Sequence, residues 1–301
     1  MVAINDARFR PPRTQDCPVC STSTNLLLFS EARDGIVRNL HCVTCGHSFV
    51  SDEDRAGHQS ETGSYRNVSS DIQLSEALKK RTEIRAAERA HSRADMLIEK
   101  QIAAPQMKVL EVGCSLGHLL HELKSQGCLV AGCEADTTYA RLASEYLSIE
   151  VNPGFFQLSD YPRGSFDLVI LSHVLEHVPD VGRFLTEVGD VVSDSGSIYV
   201  EVPCLERPFS GDLRRFFWSE HLHTFSCDSL RTLASRCGLE IQDMWFSGFF
   251  LSARLSKMKV YEGKAHLEVA DGPAGDYRWQ TLLQHLRFLE TRISELERSL
   301  E

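Results

Sequence analysis

The sequence lacks three features that would place the chain in a membrane, in a secretory compartment or on nucleic acid. No apolar run approaches the roughly 18 residues that a membrane-spanning helix needs. The first residues, MVAINDARFRPP, contain no apolar segment like that of a signal peptide. The sequence has 32 Lys and Arg but 42 Asp and Glu, which gives a formal net charge of −10. We therefore expect a cytoplasmic protein without a membrane span, and the acidic balance disfavours nucleic acid as a partner.

The ten cysteines do not suggest a disulfide framework, since several lie in core-like apolar runs that suit a reducing compartment. Four of them form two C-x2-C pairs, Cys17 with Cys20 and Cys42 with Cys45, separated by 21 residues. Two such pairs can close a tetrahedral shell of thiolates around Zn²⁺. The pattern predicts a zinc ribbon over residues 1–60.

Two interpretations of this ribbon remain open. It could bind nucleic acid or substrate, or its zinc could be structural and allow a short segment to fold without a core of its own. We favour the structural interpretation. Because four cysteines already complete the shell, His41 and His47 are interpreted as surface residues.

A second motif lies in KVLEVGCSLGHLL, residues 108–120, where an apolar strand runs into small residues and then a helical pattern. Gly113, Ser115 and Gly117 give the spacing G-x-S-x-G, which departs from the dinucleotide pattern G-x-G-x-x-G. Such a turn brings backbone N–H groups close to a ligand because no Cβ stands in the way. The next apolar strand ends in Glu134, whose carboxylate can accept hydrogen bonds from the hydroxyls of a ribose. The sequence therefore predicts a nucleotide-type pocket.

Strands and helices alternate along the middle of the chain, which favours an α/β fold with a mostly parallel sheet and helices on both faces. We predict strands at 108–112, 128–133, 149–151, 166–171, 196–202, 239–246 and 249–257, and helices at 117–126, 136–147, 180–192 and 226–237. The predicted domains are the ribbon, a connector and helical lid at 61–105, an α/β domain at 106–258, a linker at 259–276 and a helix at 277–301.

Four motifs in this order carry a family resemblance. EVGCSLG at 111–117, Glu134, FDLVILSHVLEHVPD at 166–180 and GSIYVEVP at 196–203 resemble those of class I S-adenosylmethionine-dependent methyltransferases, over roughly residues 70 to 258. The resemblance implies a Rossmann-like fold with a seven-stranded sheet, and S-adenosyl-L-methionine as the cofactor.

The resemblance also assigns cofactor contacts. The small-residue loop would line the methionine portion, Glu111 would orient that loop or the ammonium, and Glu134 would take the ribose hydroxyls. Adenine would lie between Ala135 and the Phe155–Phe156 pair, with its amine meeting the backbone or Asp160. The expected cofactor-binding residues are Glu111, Gly113, Ser115, Gly117, Glu134, Ala135, Phe155, Ser172 and His173.

His173, Glu176 and His177 match H-x-x-E-H, a zinc motif of one metallopeptidase class. Here the motif directly follows a buried strand, at the edge where a cofactor would lie. We therefore interpret His173 as a residue near the cofactor, and His177 as a residue with a structural hydrogen bond.

The acceptor side is predicted in the insertion at residues 204–226. It contains Glu220 and His221, and an imidazole beside a carboxylate can act as a general base near neutral pH. The alternative is a surface loop whose aromatic residues cover the sheet edge. Arginines in the insertion could meet a phosphate or could be solvated; these are Arg207, Arg214 and Arg215.

The form E-H-x-x-x-F-S, taken with the four-cysteine ribbon, resembles the nucleotide-sugar C-methyltransferases. In that family a Glu-His pair serves deprotonation of a keto-sugar, which implies His221 as base assisted by Glu220. The chain departs from the family at its C-terminal end, where those enzymes usually carry a further α/β domain.

Instead, leucines and one isoleucine repeat there at alternating steps of four and three, from Leu282 to Leu300. This heptad pattern predicts a coiled-coil helix over residues 277–301 that joins copies of the chain or binds a partner helix. Packing within one chain is the alternative, although it usually shows a broader apolar stripe.

The sequence thus predicts methyl transfer to a sugar, glycan or related small-molecule acceptor. One rival function is methylation of ribosomal or transfer RNA with the ribbon as the RNA-binding part. The other is a non-catalytic scaffold that binds the cofactor and assembles through its coiled coil.

Overall fold

The computed structural model describes residues 15–23, 25–33, 35–55, 76–209 and 216–258. Several predicted features lie outside these residues. They are most of the connector, Arg214 and Arg215, the linker at 259–276 and the coiled-coil helix at 277–301.

The N-terminal segment forms a small antiparallel sheet. Its strands are β1 (Asn25–Ala32), β2 (Gly35–Cys42) and β3 (Ser48–Val50), followed by the short helix α1 (Asp52–Arg55). A fourth strand, β9 (His223–Thr224), comes from the insertion and pairs with β3, so that the order is β1-β2-β3-β9. The insertion therefore completes the edge of the N-terminal sheet.

The rest of the described chain alternates between strands and helices. In chain order these are α2 (Glu76–Glu99), β4 (Lys108–Val112), α3 (His118–Ser125), β5 (Leu129–Glu134), α4 (Thr137–Leu147), β6 (Glu150–Pro153), β7 (Phe166–Ser172), α5 (Val181–Val191), β8 (Val192–Pro203), α6 (Cys227–Arg236), β10 (Leu239–Ser247) and β11 (Phe250–Lys257). The types of these elements from β4 onward agree with the sequence pattern, whereas β9 was not predicted.

Seven of these strands form one sheet in the order β10-β11-β8-β7-β4-β5-β6. Strands β6, β5, β4, β7 and β8 are parallel, whereas β11 pairs antiparallel with both β8 and β10. Strands β5 and β6 follow β4 on one side of it. The chain then crosses back and places β7 on the other side of β4. The carboxyl ends of β4 and β7 therefore flank the crevice where open parallel sheets bind ligands.

The sequences of the central strands are unbroken apolar runs because both faces of these strands are buried. Residues 168–171 of β7 are fully buried because helices cover both faces of the sheet. On one face, Ala90, Ala94 and Leu97 of α2 share a core with Leu119 and Leu123 of α3. The predicted helical segment thus packs on the domain along its C-terminal half. Among the described helices, none is long and apolar enough to span a bilayer.

The strand predicted at 196–202 begins earlier than its pattern indicates. Val192 pairs with Phe166 directly after α5 ends, and a register irregularity separates this pair from Leu168 with Ser197. The added residues, VSDS, carry no apolar alternation, so periodicity alone could not place them in the strand.

The interpretation of His47 as a surface residue is wrong. Its side chain is buried, its Nε2 shares a 3.0 Å hydrogen bond with Nδ1 of His223, and its ring stacks on Phe49. Strand β9 covers it, a contact between positions 176 residues apart. His41 is half-buried, with its Nδ1 2.9 Å from Oγ of Ser48.

Candidate active site

The small-residue loop connects β4 to α3 with three alternate residues in the left-handed backbone region. The φ angles are 73° at Gly113, 53° at Ser115 and 76° at Gly117. At Gly113 a Cβ atom would lie 2.9 Å from Cγ2 of Val174, so glycine is needed for space as well as for conformation. The loop therefore lies tightly against the chain that leaves β7.

Glu134, at the end of β5, fastens this loop. Its Oε2 accepts a 2.7 Å hydrogen bond from the Ser115 N–H, and its Oε1 accepts one of 2.9 Å from the Asp136 N–H. The carboxylate is buried, and each oxygen has a further lone pair that could accept a hydroxyl. The structure thus brings together the loop and the acidic residue that the sequence predicted for one pocket.

Glu111 lies two residues before the loop and is buried. Burial raises the pKa of its carboxyl to about 8, although the charge of Arg93 opposes this effect. Its Oε2 has no hydrogen-bond partner among the described residues. A buried carboxyl group with an unsatisfied oxygen is suited to a cationic ligand group such as an ammonium.

The fold places the two aromatic residues expected around adenine in different environments. Phe155 is 60% exposed, whereas Phe156 is buried and stacks on Tyr161 at 5.5 Å between ring centres. Phe156 belongs to the main core, so only Phe155 of the pair presents an exposed ring, and the adenine contact of Phe156 stays a prediction. Ala135 is half-buried, and Oδ2 of Asp160 accepts a 3.1 Å hydrogen bond from Nδ2 of Asn152.

His173 follows β7 in a left-handed conformation, with φ at 57°. Its Nδ1 lies 3.1 Å from Oε1 of Glu176 and its Nε2 lies 3.4 Å from Oε1 of Glu201. Burial lowers the pKa of His173, but the hydrogen bonds with these two carboxylates outweigh burial and raise it to about 9. His173 is therefore a cation at neutral pH, and a strained backbone at such a position is typical of functional sites.

Glu201 in β8 is the partner that sequence reasoning missed. Arg93 of α2 forms an ion pair with it, and the Tyr199 hydroxyl donates a 2.8 Å hydrogen bond to its Oε2. Burial raises the pKa of Glu201, but the His173 hydrogen bond and the charge of Arg93 lower it to about 2. The available signal was a carboxylate inside the apolar run GSIYVEVP, because a buried acid needs a cationic partner.

A cavity of about 280 Å³ opens next to His173. It is lined by Arg33, His173, Pro203, Phe209, Phe216, His221, Phe249 and Phe250. His173 from the parallel sheet and His221 from the insertion, which the sequence assigned to separate roles, therefore share one cavity.

His221 is held in a cluster of rings. Its ring centre lies 4.8 Å from that of His177 and 5.1 Å from that of Trp218. Burial lowers the pKa of His221 to about 3, the charge of Glu176 opposes this, and Arg33 lowers it further. The imidazole is neutral at pH 7, but its pKa is far from the value near neutrality that the sequence predicted.

The structure places the carboxylate of Glu176 near His221. One oxygen of Glu176 and one ring nitrogen each of His177 and His221 lie within 4.8 Å of one another. Glu220 contributes its backbone carbonyl, which accepts a 2.9 Å hydrogen bond from Nδ1 of His177. This contact agrees with the structural hydrogen bond expected for His177, while the assisting role of the Glu220 carboxylate stays a prediction.

The four cysteines of the N-terminal segment converge without forming a disulfide. The Sγ atoms of Cys17 and Cys45 lie 3.7 Å apart, and those of Cys20 and Cys42 lie 3.5 Å apart. Tetrahedral zinc with Zn–S bonds of about 2.3 Å requires sulfur–sulfur distances of about 3.8 Å. The arrangement is therefore compatible with zinc.

A second cavity, of about 370 Å³, lies at the opposite edge of the large sheet. Lys108, Leu129 and Phe166, at the amino ends of three parallel strands, line it. Because ligands of open parallel sheets bind at the carboxyl ends, we assign it no role in the site.

Residues 81–243 match the family described as Methyltransferase domain. This chain belongs to that family. The domain has the Rossmann-like methyltransferase fold with a mostly parallel central sheet. Its matched range includes the small-residue loop, Glu134, His173 and the insertion, but not the four-cysteine cluster.

Individual relatives are more distant. A Mycolicibacterium smegmatis protein named "Probable S-adenosylmethionine-dependent methyltransferase" is 26% identical over 172 residues, covering 55% of this chain and 66% of that protein. A ubiquinone biosynthesis O-methyltransferase of Rhodopseudomonas palustris is 29% identical over 99 residues, covering 31% of this chain and 39% of that protein. The chain thus spans less than two thirds of the length of these curated relatives. A solved SAM-dependent methyltransferase from Aquifex aeolicus is 13% identical, with a TM-score of 0.45, over 54% of this chain and 88% of that one.

The residues of the methyltransferase domain fit the cofactor of the family. The loop needs glycine at position 113, the Glu134 carboxylate faces the loop, and Glu111 has a buried oxygen without a partner in the described part of the chain. These features offer a close backbone approach, an acceptor for hydroxyls and a buried carboxyl whose pKa a neighbouring ammonium would lower, so that the carboxylate would become its counter-charge.

Replacing Glu176 with Gln should lower the pKa of His173 by roughly one unit or more, because a hydrogen-bonded carboxylate within about 4 Å shifts a neighbouring pKa by about 1–3 units. The His173 pKa of about 9 lies above its ordinary value of 6.5. The ion pairs of protonated His173 therefore stabilise the folded protein fully below pH 6.5. This contribution to the free energy of unfolding is lost as the pH rises through 9. The pKa is measured by NMR titration of the His173 ring, and the pH dependence by urea unfolding.

Glu122→Gln provides the control, since Glu122 pairs with the exposed ring of His91 at 2.9 Å. It should leave the His173 titration unchanged. An unchanged His173 midpoint in Glu176→Gln would contradict the assigned ion pair.

Proposed function

We propose that this chain is an enzyme that transfers the methyl group of S-adenosylmethionine to a sugar, glycan or related small-molecule acceptor. The observation that carries the proposal is the adjacency of two features. The loop fastened by Glu134 lies at the ligand-binding edge of the sheet, and Val174, next to His173, packs against that loop. His173 in turn lines the cavity that contains His221.

The cofactor would be held by residues of the loop and of the strand ends. Gly113, Ser115 and Gly117 would meet its methionine portion, with Glu111 as the counter-charge for the ammonium. Glu134 would accept the ribose hydroxyls. Adenine would pack against Ala135 and the exposed ring of Phe155, and Ser172 and His173 would line the side toward the acceptor.

When bound, the cofactor supplies an electrophilic methyl group on a sulfonium. The contribution of the protein is to hold the acceptor in line with that group, to exclude water and to remove a proton. The proton would pass to a ring nitrogen of His221, and the nearby carboxylate of Glu176 would stabilise the imidazolium that forms.

A hydroxyl oxygen is the favoured methylated atom. The relatives from ubiquinone biosynthesis are named O-methyltransferases, and removal of a hydroxyl proton requires a base. The Glu220-His221 pair, which matches the nucleotide-sugar C-methyltransferases, supports a carbon acid of a keto-sugar as the second candidate acceptor.

We further propose that the four cysteines bind a structural zinc ion. Among the described residues, β1, β2 and β3 of the ribbon form one sheet, and β3 pairs with β9 of the insertion. This pairing supports a role for the ribbon in positioning the insertion. The heptad pattern of residues 277–301 supports the proposal that the chain joins a second copy or a partner helix there.

Replacing Glu134 with Ala should weaken binding of S-adenosylhomocysteine by at least about tenfold, because hydrogen bonds to a charged group are worth about 1.5–3 kcal/mol. Isothermal titration calorimetry measures this affinity. Glu150→Ala, an exposed carboxylate at the start of the neighbouring strand, should bind normally. Glu134→Gln serves as a second variant if the alanine variant unfolds, and normal affinity in both would exclude Glu134 from the cofactor site.

Replacing His221 with Ala should reduce turnover by about 10²–10⁴-fold, as expected for loss of a general base, with little change in cofactor affinity. Activity is measured with isotopically labelled cofactor and an extract of small glycosides, followed by mass spectrometry of the molecules that gain a methyl group. His121→Ala, which removes an exposed imidazole of α3, is the control. Unaltered turnover in the His221 variant would remove it from the catalytic residues.

Replacing Cys42 with Ser should reduce bound zinc from about one ion per chain to well below one, since the four-thiolate shell is then incomplete. Zinc is measured by inductively coupled plasma mass spectrometry on the purified chain. Cys237→Ser removes a thiol outside the cluster and should retain the metal. Equal zinc content in the two variants would refute the assignment.

A further inference from the structure

The two ends of the insertion meet at one place in the fold. Cys204, at its start, pairs with Phe225 in a parallel β-bridge, and the Leu205 N–H donates a 2.9 Å hydrogen bond to the Phe225 carbonyl. Cys227 begins α6 directly after the insertion. The fold therefore places a cysteine at each end of the segment that carries β9 and His221.

A carboxylate joins these two thiols. One oxygen of Glu206 and the Sγ atoms of Cys204 and Cys227 lie within 4.8 Å of one another. The Cys204 thiol is 2.7 Å from Oε2 of Glu206, and Oε1 of Glu206 accepts a 2.8 Å hydrogen bond from the Cys227 N–H. Cysteine thiolates and carboxylates are ligands that Zn²⁺ takes in proteins. The three side chains therefore form a candidate metal site distinct from the four-cysteine cluster.

The backbone around this site fixes two of the three ligands. Cys204 directly follows β8, is fully buried and belongs to the main core. Cys227 lies at the start of α6, where Ser226 and Ser229 bond each other's backbone N–H groups in a capping box. Because packing and capping order both backbones, little conformational freedom remains to be lost when a metal binds.

Glu206 has the hydrogen bonding expected of a metal ligand. Carboxylates that bind metals are usually oriented by a hydrogen bond of their own. The Cys227 N–H provides that bond to Oε1, and Oε2 points to the Cys204 thiol. Tetrahedral zinc needs a sulfur–oxygen distance of about 3.6 Å, so the carboxylate would move outward by roughly 1 Å. Its side chain is half-buried, which leaves room for this movement.

We propose that Cys204, Glu206 and Cys227 bind one Zn²⁺ ion, which ties the two ends of the insertion together. The two thiol protons pass to solvent as the sulfur–zinc bonds form, and water occupies the fourth position. With three protein ligands the site binds zinc more weakly than a four-thiolate shell, so it fills when Zn²⁺ is supplied in excess of the ion at the four-cysteine cluster. This proposal does not rest on methyl transfer.

Cobalt(II) is the probe, because it enters zinc sites and its bonds to thiolates give charge-transfer absorption. The full chain, kept reduced with a phosphine, is titrated with CoCl₂ and followed by absorption spectroscopy. The absorption should saturate at about one Co²⁺ per chain, with the zinc of the four-cysteine cluster unchanged by mass spectrometry. Zn²⁺ added afterwards should abolish the absorption, since thiolate ligands favour zinc.

Replacing either cysteine with Ser, in Cys204→Ser or Cys227→Ser, should weaken Co²⁺ binding by at least about tenfold and reduce the absorption, because one sulfur ligand is lost. Glu206→Gln should weaken binding by a similar factor but keep the absorption at saturation, because both thiolates remain. It also tests the site if a serine variant unfolds. Cys237→Ser is the matched control, because it removes a half-buried thiol at the other end of α6 and should leave Co²⁺ affinity unchanged.

Four results would overturn the proposal. They are no cobalt–thiolate absorption in the reduced chain, unchanged Co²⁺ affinity in the folded Cys204 and Glu206 variants, an equal loss of affinity in Cys237→Ser, and release of zinc in proportion to the cobalt bound. The last result would place the cobalt in the four-cysteine cluster. A disulfide between Cys204 and Cys227 in chain purified without reductant, combined with no Co²⁺ binding after reduction, would assign the pair to redox chemistry instead.

Discussion

The arrangement of the site depends on the contacts of one buried carboxylate, that of Glu201. It receives the Arg93 guanidinium from α2, the His173 ring from the end of β7 and the Tyr199 hydroxyl from its own strand. A buried charge is costly unless its partners stay in place, and loss of either cation would leave the carboxylate unpaired in the core. The packing of α2 is therefore linked to the position of a cavity residue.

Charges alternate in sign along the chain of contacts from Arg93 through Glu201 toward His221. Arg93 is followed by Glu201, then by His173, then by Glu176, and the series ends near His221, which is neutral. Because each member is flanked by the opposite charge, protonation of one changes the pKa of the next. Electrostatic control of His221 thus extends from Arg93 in α2 to the cavity that His173 and His221 line.

Sequence reasoning succeeded where the signal is local. The small-residue loop, Glu134 and the alternation of strands and helices follow from spacing within a short window, because hydrophobic period and turn chemistry are local properties. It failed where the decisive contact is distant in sequence. The burial of His47 depends on β9, and the contact of Glu201 with His173 joins β8 to the residue that follows β7.

The pairing of β3 with β9 has a consequence for cooperativity. Val50 donates its N–H to the carbonyl of Leu222, and Arg55 reaches the same carbonyl, so residues near positions 50 and 222 order each other's backbone. Local opening of the N-terminal sheet would release the strand that leads away from His221, while the distant loop at Gly113 keeps its own contacts. The described strands of the N-terminal sheet therefore stabilise the backbone on the His221 side of the cavity, whereas the loop at Gly113 is held by Glu134.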